Sequence, residues 1–201
     1  MRVLVACEFS GIVRDAFAAL GHDAWSCDLL PSEREGKHIE GDVLAVLLDN
    51  WDLMIAHPPC THLAVSGAKH FSEKQRDGRQ EEAIAFFLAL ARAPIPRVCI
   101  ENPVSIMSSL YRKPDQVIHP FQFGHEAEKS TCLWLRGLPL LAPSKTVGRG
   151  RRHVTKGGKS LPEWYNLPPS SDRAKIRSRT FPGIAEAMAD QWGRGLPDLF
   201  D

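Results

Sequence analysis

The stretch Asp52-Leu53-Met54-Ile55-Ala56-His57-Pro58-Pro59-Cys60 decides the fold of this 201-residue chain. Its continuous apolar run, with no polar alternation, is typical of a strand that is buried on both faces of a parallel sheet. Two prolines then end the strand, because proline has no N–H to give to the ladder. Cys60 is therefore expected at the carboxyl end of a strand, where open α/β sheets bind their ligands.

A second apolar run, Arg97-Val98-Cys99-Ile100, is followed directly by Glu101-Asn102-Pro103. Parallel strands end at the same edge of a sheet, so this run delivers a carboxylate and an amide beside Cys60. Pro103 is predicted to begin a helix, since proline suits the first helical turn. A thiol nucleophile and an acid at neighbouring strand ends indicate chemistry.

Strands and helices alternate through the first half of the chain, which predicts a Rossmann-like α/β fold with a mostly parallel sheet. After residue 115 the pattern changes to a short strand at 132–135 and a last helix at 184–192. The expected division is a core over 1–140, an irregular, basic, loop-rich segment over 141–180 and a helix over 181–201 that returns to the core. The remaining predicted strands are 2–7, 23–27, 38–40, 52–56 and 97–100, and the predicted helices are 11–20, 42–48 and 79–92.

Composition excludes several classes of protein. No apolar run approaches the roughly 20 residues that span a bilayer, and the N-terminus lacks the pattern of a signal peptide. Five widely spaced cysteines indicate reduced thiols and a cytoplasmic location. His57, Cys60, His62 and His70 lie close in sequence, but no second Cys/His pair at ligand spacing accompanies them, so no metal is expected.

The net charge of +1 conceals a basic segment. Residues 143–180 contain ten lysines and arginines against two acidic residues, a local charge of +8, while the rest of the chain carries −7. A basic block on a mildly acidic body suggests a polyanionic partner. The alternative is a solvated loop with no partner.

Together these features resemble the cytosine carbon-5 DNA methyltransferases, especially the short members found in phage and prophage genomes. The resemblance covers roughly residues 2–140 and 177–193, and it implies an S-adenosylmethionine-dependent enzyme that methylates DNA in a bacterial or phage-infected cell. Larger members insert a target-recognition domain before the last helix, where this chain has only the basic segment, so a relaxed or short sequence specificity is expected. The resemblance depends on Phe9-Ser10-Gly11, Pro58-Pro59-Cys60, Glu101-Asn102-Pro103 and the helix after Phe181-Pro182-Gly183.

The resemblance implies a role for each strand-end residue. The Cys60 thiolate adds to carbon 6 of cytosine, which makes carbon 5 nucleophilic, and Glu101 is the acid that neutralises ring nitrogen 3. Asn102 either holds the proline loop or contacts the base. His57 stands where the family usually has glycine, and it is expected to shape the loop or to lower the pKa of the Cys60 thiol. Thr61 to Gly78 is expected to form a lid.

The remaining binding residues are also implied by the resemblance. Asp28 is expected to bind the ribose of S-adenosylmethionine and Asp42 its adenine, although either carboxylate could instead cap a turn or helix. NAD is the competing cofactor on the residues alone. The other predicted cofactor residues are Phe9, Ser10, Gly11 and Pro58, and the predicted DNA contacts are Lys129, Arg149, Arg151, Arg152, Arg177 and Arg179.

Two other functions are compatible with the same sequence. One is an enzyme with this core that modifies a pyrimidine using another one-carbon donor or a nucleotide substrate. The other is a DNA-binding homologue that has lost catalysis.

Overall fold

The computed structural model of the chain, which describes residues 1–166, 168, 170 and 173–194, is built on a seven-stranded sheet. The strand order is β3-β2-β1-β4-β5-β7-β6, and β7 alone runs against the others among the described strands. The predicted α/β class with a mostly parallel sheet is confirmed. The strands are β1 (Arg2–Ala6), β2 (Asp23–Asp28), β3 (His38–Glu40), β4 (Leu53–Ala56), β5 (Arg97–Pro103), β6 (Gln116–Ile118) and β7 (Thr131–Arg136).

Helices cover both faces of this sheet. Their bounds are α1 (Ile12–Ala19), α2 (Phe71–Arg76), α3 (Arg79–Arg92), α4 (Met107–Leu110), α5 (Arg173–Ser178) and α6 (Pro182–Gly193). Short 3-10 helices span Val43–Val46, Val65–His70, Pro120–Gln122 and Glu163–Asn166. Among the described residues, no helix is both long and apolar enough to cross a bilayer.

Strand β4 lies in the middle of the core, as its sequence predicts. All four of its side chains are fully buried, and they alternate between the two faces of the sheet. Leu53 and Ile55 pack with Phe17 of α1 and Trp192 of α6, whereas Met54 and Ala56 pack on the opposite face. The rule that a doubly covered strand is apolar throughout therefore holds here.

Helix α6 returns to the core and packs against α1, as expected for the closing helix. Its second residue, Gly183, allows the close approach, because a Cβ there would lie 1.9 Å from the backbone oxygen of Phe123. Pro182 occupies the first helical position, where its missing N–H costs nothing.

Two predicted helix starts are wrong in detail. Pro103 is the last residue of β5, because the antiparallel strand β7 pairs alongside it through Thr131, and α4 begins only at Met107. The helix predicted over 42–48 is a 3-10 turn, Val43–Val46, whose start is capped by Asp42.

The basic segment is less irregular than expected. It contains an antiparallel hairpin of β8 (Arg152–Val154) and β9 (Ser160–Pro162). The turn includes Gly157-Gly158, and Gly158 has a φ of +79°, a conformation that hairpin turns require and glycine supplies without strain. Residues 167, 169, 171 and 172 of this segment, and 195–201 of the last predicted unit, lie outside the described residues.

Candidate active site

The site lies where the order of strands reverses. Strand β1 is flanked by β2 on one side and by β4 on the other, and ligands of open α/β sheets bind in the crevice outside such a switch point. A small cavity of about 10 Å³ lies there, far less than the roughly 300–1,000 Å³ usual for ligand sites. This switch-point crevice is lined by Cys7, Glu8, Phe9, Ser10, His57, Ser178 and Thr180. A larger surface cavity lies between α1 and α6, but none of the strand-end residues line it.

Glu8 is a site residue that the sequence analysis missed. Its buried carboxylate accepts hydrogen bonds from the N–H groups of Val13 (2.7 Å) and Arg14 (3.2 Å), and the hydroxyl of Ser10 donates to it at 3.2 Å. The protein's own negative charge therefore occupies the N-terminus of α1, which in dinucleotide-binding folds receives a pyrophosphate. An acidic residue just ahead of a helix is the sequence signal that could have found it.

The predicted turn Phe9-Ser10-Gly11 has the expected place between β1 and α1. Gly11 precedes the helix with a φ of +70°, the left-handed conformation that glycine adopts most easily. Phe9 and Ser10 line the switch-point crevice. The ammonium group of Lys175 lies 5.5 Å from the centre of the Phe9 ring. This contact connects α5 to the loop between β1 and α1.

Asp28 and Asp42 lie beside the crevice but are absent from its lining. Each accepts a hydrogen bond from a nearby N–H, Asp28 from Leu30 at 3.0 Å and Asp42 from Leu44 at 2.9 Å, so the capping roles are observed. Burial raises the pKa of the Cys7 thiol, and the nearby charges of Asp28 and Asp42 raise it further. Their proposed contacts with ribose and adenine stay predictions.

The register of β4 and β5 brings His57 against Glu101. Ala56 pairs with Ile100, so His57, the first residue after β4, lies level with Glu101, which is still paired within β5. His57 Nδ1 and Glu101 Oε2 are 2.9 Å apart, and both side chains are nine-tenths buried. His57 Nε2 has no hydrogen-bond partner among the described residues.

Glu101 is held as a carboxylate. Burial raises its pKa, but the positive charge of Lys129 and the hydrogen bond from His57 outweigh burial and hold the pKa below its ordinary value. Lys129 reaches this point because β7 is antiparallel, so the residues just before Thr131 arrive at the carboxyl edge of β5. At neutral pH the group is therefore an acceptor rather than a proton donor.

Cys60 is held as a thiol. Burial raises its pKa, the charge of Glu101 raises it further, and the charges of Lys129 and Arg177 oppose both. The expectation that His57 lowers this pKa is wrong, because the imidazole bonds to Glu101 and the nearby cations are Lys129 and Arg177. The resting site thus holds one proton on sulfur beside an ionised carboxylate.

Asn102 supports the proline loop, which is one of its two predicted roles. Its side chain is buried, and its Nδ2 donates to the carbonyl oxygen of Pro58 at 2.8 Å. The bond joins the end of β5 to the residues that carry Cys60. Pro58 is buried and is absent from the crevice lining, so its cofactor role stays a prediction.

The stretch Thr61 to Gly78, predicted to be a lid, is folded onto the body of the protein. It contains a 3-10 helix and α2, and the buried ammonium group of Lys74 donates to the Thr61 carbonyl at 2.6 Å. Gln80 of α3 donates to the carbonyl of His62 at 3.2 Å. Within the described residues, no group of three or more His, Cys, Asp or Glu side chains could hold a metal ion.

The predicted DNA-binding cations fall into two groups. Lys129 and Arg177 adjoin the strand ends, and the Lys129 ammonium donates to the Arg177 carbonyl at 3.3 Å. Others are ion-paired to two partly buried glutamates, Glu128 and Glu33. Arg149 and Arg152 pair with Glu128, and Arg179 pairs with Glu33, which also pairs with Lys175, a residue outside the predicted set. Arg151 belongs to neither group, because it is exposed without an ion pair among the described residues.

No protein-family model matches the chain, and no curated protein matches it. One solved structure with a partly similar backbone is a protein described as a DNA modification methyltransferase, encoded within a prophage of E. coli. The two share 14% sequence identity with a TM-score of 0.48, over 74% of this chain and 52% of the other. This chain therefore spans about half the length of that protein.

Proposed function

We propose that the chain is an S-adenosylmethionine-dependent methyltransferase that acts on carbon 5 of cytosine in DNA. The observation that carries this proposal is the meeting of Cys60 and the His57–Glu101 pair at the adjacent ends of β4 and β5. A sulfur nucleophile beside a carboxylate is the pair of groups that a pyrimidine substrate requires. The sulfur adds to carbon 6 of the ring, and the carboxylate forms a hydrogen bond with the polar edge of the base. The sheet order with one reversed strand is consistent with a methyltransferase core.

The charge of the switch-point crevice favours a cationic cofactor. Among the described residues, its lining includes the carboxylate of Glu8 and neither lysine nor arginine. The N-terminus of α1 already binds Glu8, so it offers little to the pyrophosphate of NAD. S-adenosylmethionine carries an ammonium and a sulfonium group, and when bound it supplies an electrophilic methyl group. Because the crevice is small, it must widen to admit this cofactor.

The protein's own groups account for the proton balance of addition. Glu101, as a carboxylate, accepts a hydrogen bond from the exocyclic amine of cytosine, which is a donor. The proton of the Cys60 thiol passes to Glu101 and from there to ring nitrogen 3 as sulfur bonds to carbon 6. Lys129 and Arg177 stabilise the transient thiolate, since their charges already lower the Cys60 pKa. After methyl transfer, the carbon 5 proton is lost to solvent and the thiolate departs, and the proton on ring nitrogen 3 returns through Glu101 to the sulfur of Cys60, which restores the neutral aromatic ring and the resting thiol.

DNA is the proposed substrate because of the basic residues around this edge. Lys129 and Arg177 adjoin Cys60, and the +8 segment follows in the chain. Lysine and arginine bind phosphates without reading bases, which is consistent with a relaxed or short recognition sequence. The target base must leave the duplex to reach the strand ends.

The test is mass spectrometry of nucleosides after incubation with labelled S-adenosylmethionine and either DNA or dCMP. We expect 5-methylcytosine in DNA, loss of product in Cys60→Ser, and a covalent adduct at Cys60 with an oligonucleotide that contains 5-fluorocytosine. Cys27→Ser is the matched control, because Cys27 is another free thiol of the sheet and does not line the switch-point crevice. Methylation of dCMP alone would assign a nucleotide substrate, and an adduct at another cysteine would refute the mechanism.

A further inference from the structure

His57 belongs to two parts of the site at once. Its Nδ1 bonds to Glu101 beside Cys60, and its ring also lines the switch-point crevice, where the cofactor is proposed to bind. Only 8% of the side chain is exposed, and Nε2 has no hydrogen-bond partner among the described residues. A buried polar atom without a partner costs free energy, so its retention calls for a ligand.

The bond to Glu101 determines what Nε2 can do. A carboxylate only accepts hydrogen bonds, so Nδ1 carries the proton and, in the neutral ring, Nε2 presents a lone pair. The crevice also holds the Glu8 carboxylate, a second acceptor, and no lysine or arginine of the part of the chain that the structure describes lines it. The ligand group that fits between these acceptors is a donor with positive charge, such as a primary ammonium.

We propose that His57 is a positioning residue that joins the crevice to the candidate active site, with Nδ1 orienting Glu101 and Nε2 accepting a hydrogen bond from the ammonium group of the bound cofactor. This inference rests on the proposed function, since it takes S-adenosylmethionine as the source of that ammonium. It also gives a physical reason for an imidazole ahead of the two prolines, since glycine there could make neither contact.

Two substitutions separate the two contacts. In His57→Asn the amide nitrogen stands near the place of Nδ1, so the bond to Glu101 survives while the group at Nε2 is lost. In His57→Gln the longer amide stands near the place of Nε2, and the Glu101 contact is lost. His70→Asn is the control for the substitution itself, because His70 is exposed and does not line the crevice.

The readouts are calorimetry of S-adenosylmethionine binding without DNA and an NMR titration of the Glu101 side-chain carboxyl. We expect His57→Asn to weaken binding about tenfold or more, the value of one hydrogen bond to a charged group. It should raise the Glu101 pKa less than His57→Gln does, because the hydrogen bond that lowers this pKa is kept and only the charge of His57 is lost. His57→Gln should retain part of the affinity and raise the Glu101 pKa, because a hydrogen bond that lowers it is gone.

The outcomes distinguish this inference from the proposed function. Wild-type affinity in His57→Asn, in a protein that methylates DNA, would overturn the inference and leave the function intact. An unchanged Glu101 titration in His57→Gln would overturn the positioning role whatever the enzyme does. A wild type that binds no S-adenosylmethionine would refute the proposed function together with the cofactor contact.

Discussion

The bond between Asn102 and Pro58 gives a prediction that is independent of the reaction. Asn102 is 1% exposed, and its Nδ2 donates to the Pro58 carbonyl across 44 positions of sequence. Asn102→Ala removes the donor and leaves that carbonyl without its partner inside the protein. The loop so loosened carries Cys60.

The magnitude follows from the two polar atoms of the amide. An unsatisfied buried acceptor costs about 1–3 kcal/mol. Asn102 Oδ1 has no hydrogen-bond partner among the described residues, so removing this atom recovers part of the cost of the unsatisfied Pro58 carbonyl. We therefore expect the free energy of unfolding to fall by about 1–2 kcal/mol. For a protein of this length, that lowers the Tm by about 2–8 °C.

The measurement is urea unfolding followed by tryptophan fluorescence, with calorimetry for the Tm. Asn166→Ala is the matched control, because Asn166 is exposed and its 3.3 Å bond to Glu163 is on the surface, so the change should stay within about 0.5 kcal/mol. Asn102→Asp keeps the volume but turns an acceptor toward the Pro58 carbonyl, and it should cost more than alanine. Equal stability of the Asn102→Ala and Asn166→Ala proteins would refute the reasoning.

Three further predictions concern charge. Burial and the charge of Glu101 raise the Cys60 pKa, so the rate of Cys60 alkylation by iodoacetamide should still increase with pH above the range in which ordinary thiols ionise. Glu101→Gln should shift this rate–pH curve to lower pH, as measured by peptide mass mapping, and an unshifted curve would show that Glu101 does not act on the thiol. Glu8→Gln should lower the free energy of unfolding by about 0.5–2 kcal/mol in urea, since α1 loses a charged partner at its N-terminus, and a neutral result would mean that other groups satisfy those N–H donors. Replacing Arg149, Arg151 and Arg152 by glutamine should make the slope of log DNA affinity against log salt shallower by at most about 2–3 units, and by less where an arginine must first leave its ion pair with Glu128. Cofactor affinity should not change, and an unchanged slope together with unchanged DNA affinity would show that these arginines do not contact phosphates.

The fold could be predicted wherever burial alone decides the pattern of residues. Strand β4 is buried on both faces and has an unbroken apolar sequence, and α3 begins and ends at the predicted residues 79 and 92. Predictions were wrong where a distant strand intervenes. Pro103 looks like the start of a helix until β7 is known to pair beside it.

Part of the candidate site could be predicted from the sequence. The strand-end positions of Cys60, Glu101 and Asn102 follow from where parallel strands end, so they could be predicted. The capping of α1 by Glu8 and the bond from His57 to Glu101 depend on side-chain directions, which no spacing rule supplies. The sequence does not predict the hairpin of the basic segment, because its Gly-Gly turn lies in a stretch whose composition indicates a loop.

The pairing of arginines and lysine with Glu128 and Glu33 has a consequence for the proposed binding of DNA. These carboxylates are internal competitors for the positions that phosphates would take. Partly exposed ion pairs are individually weak, so a dense row of phosphates can exchange with them, whereas a single anion gains little by doing so. Salt also loosens the internal pairs, which offsets part of the counterion effect. The measured salt slope will therefore undercount the cations that contact the duplex.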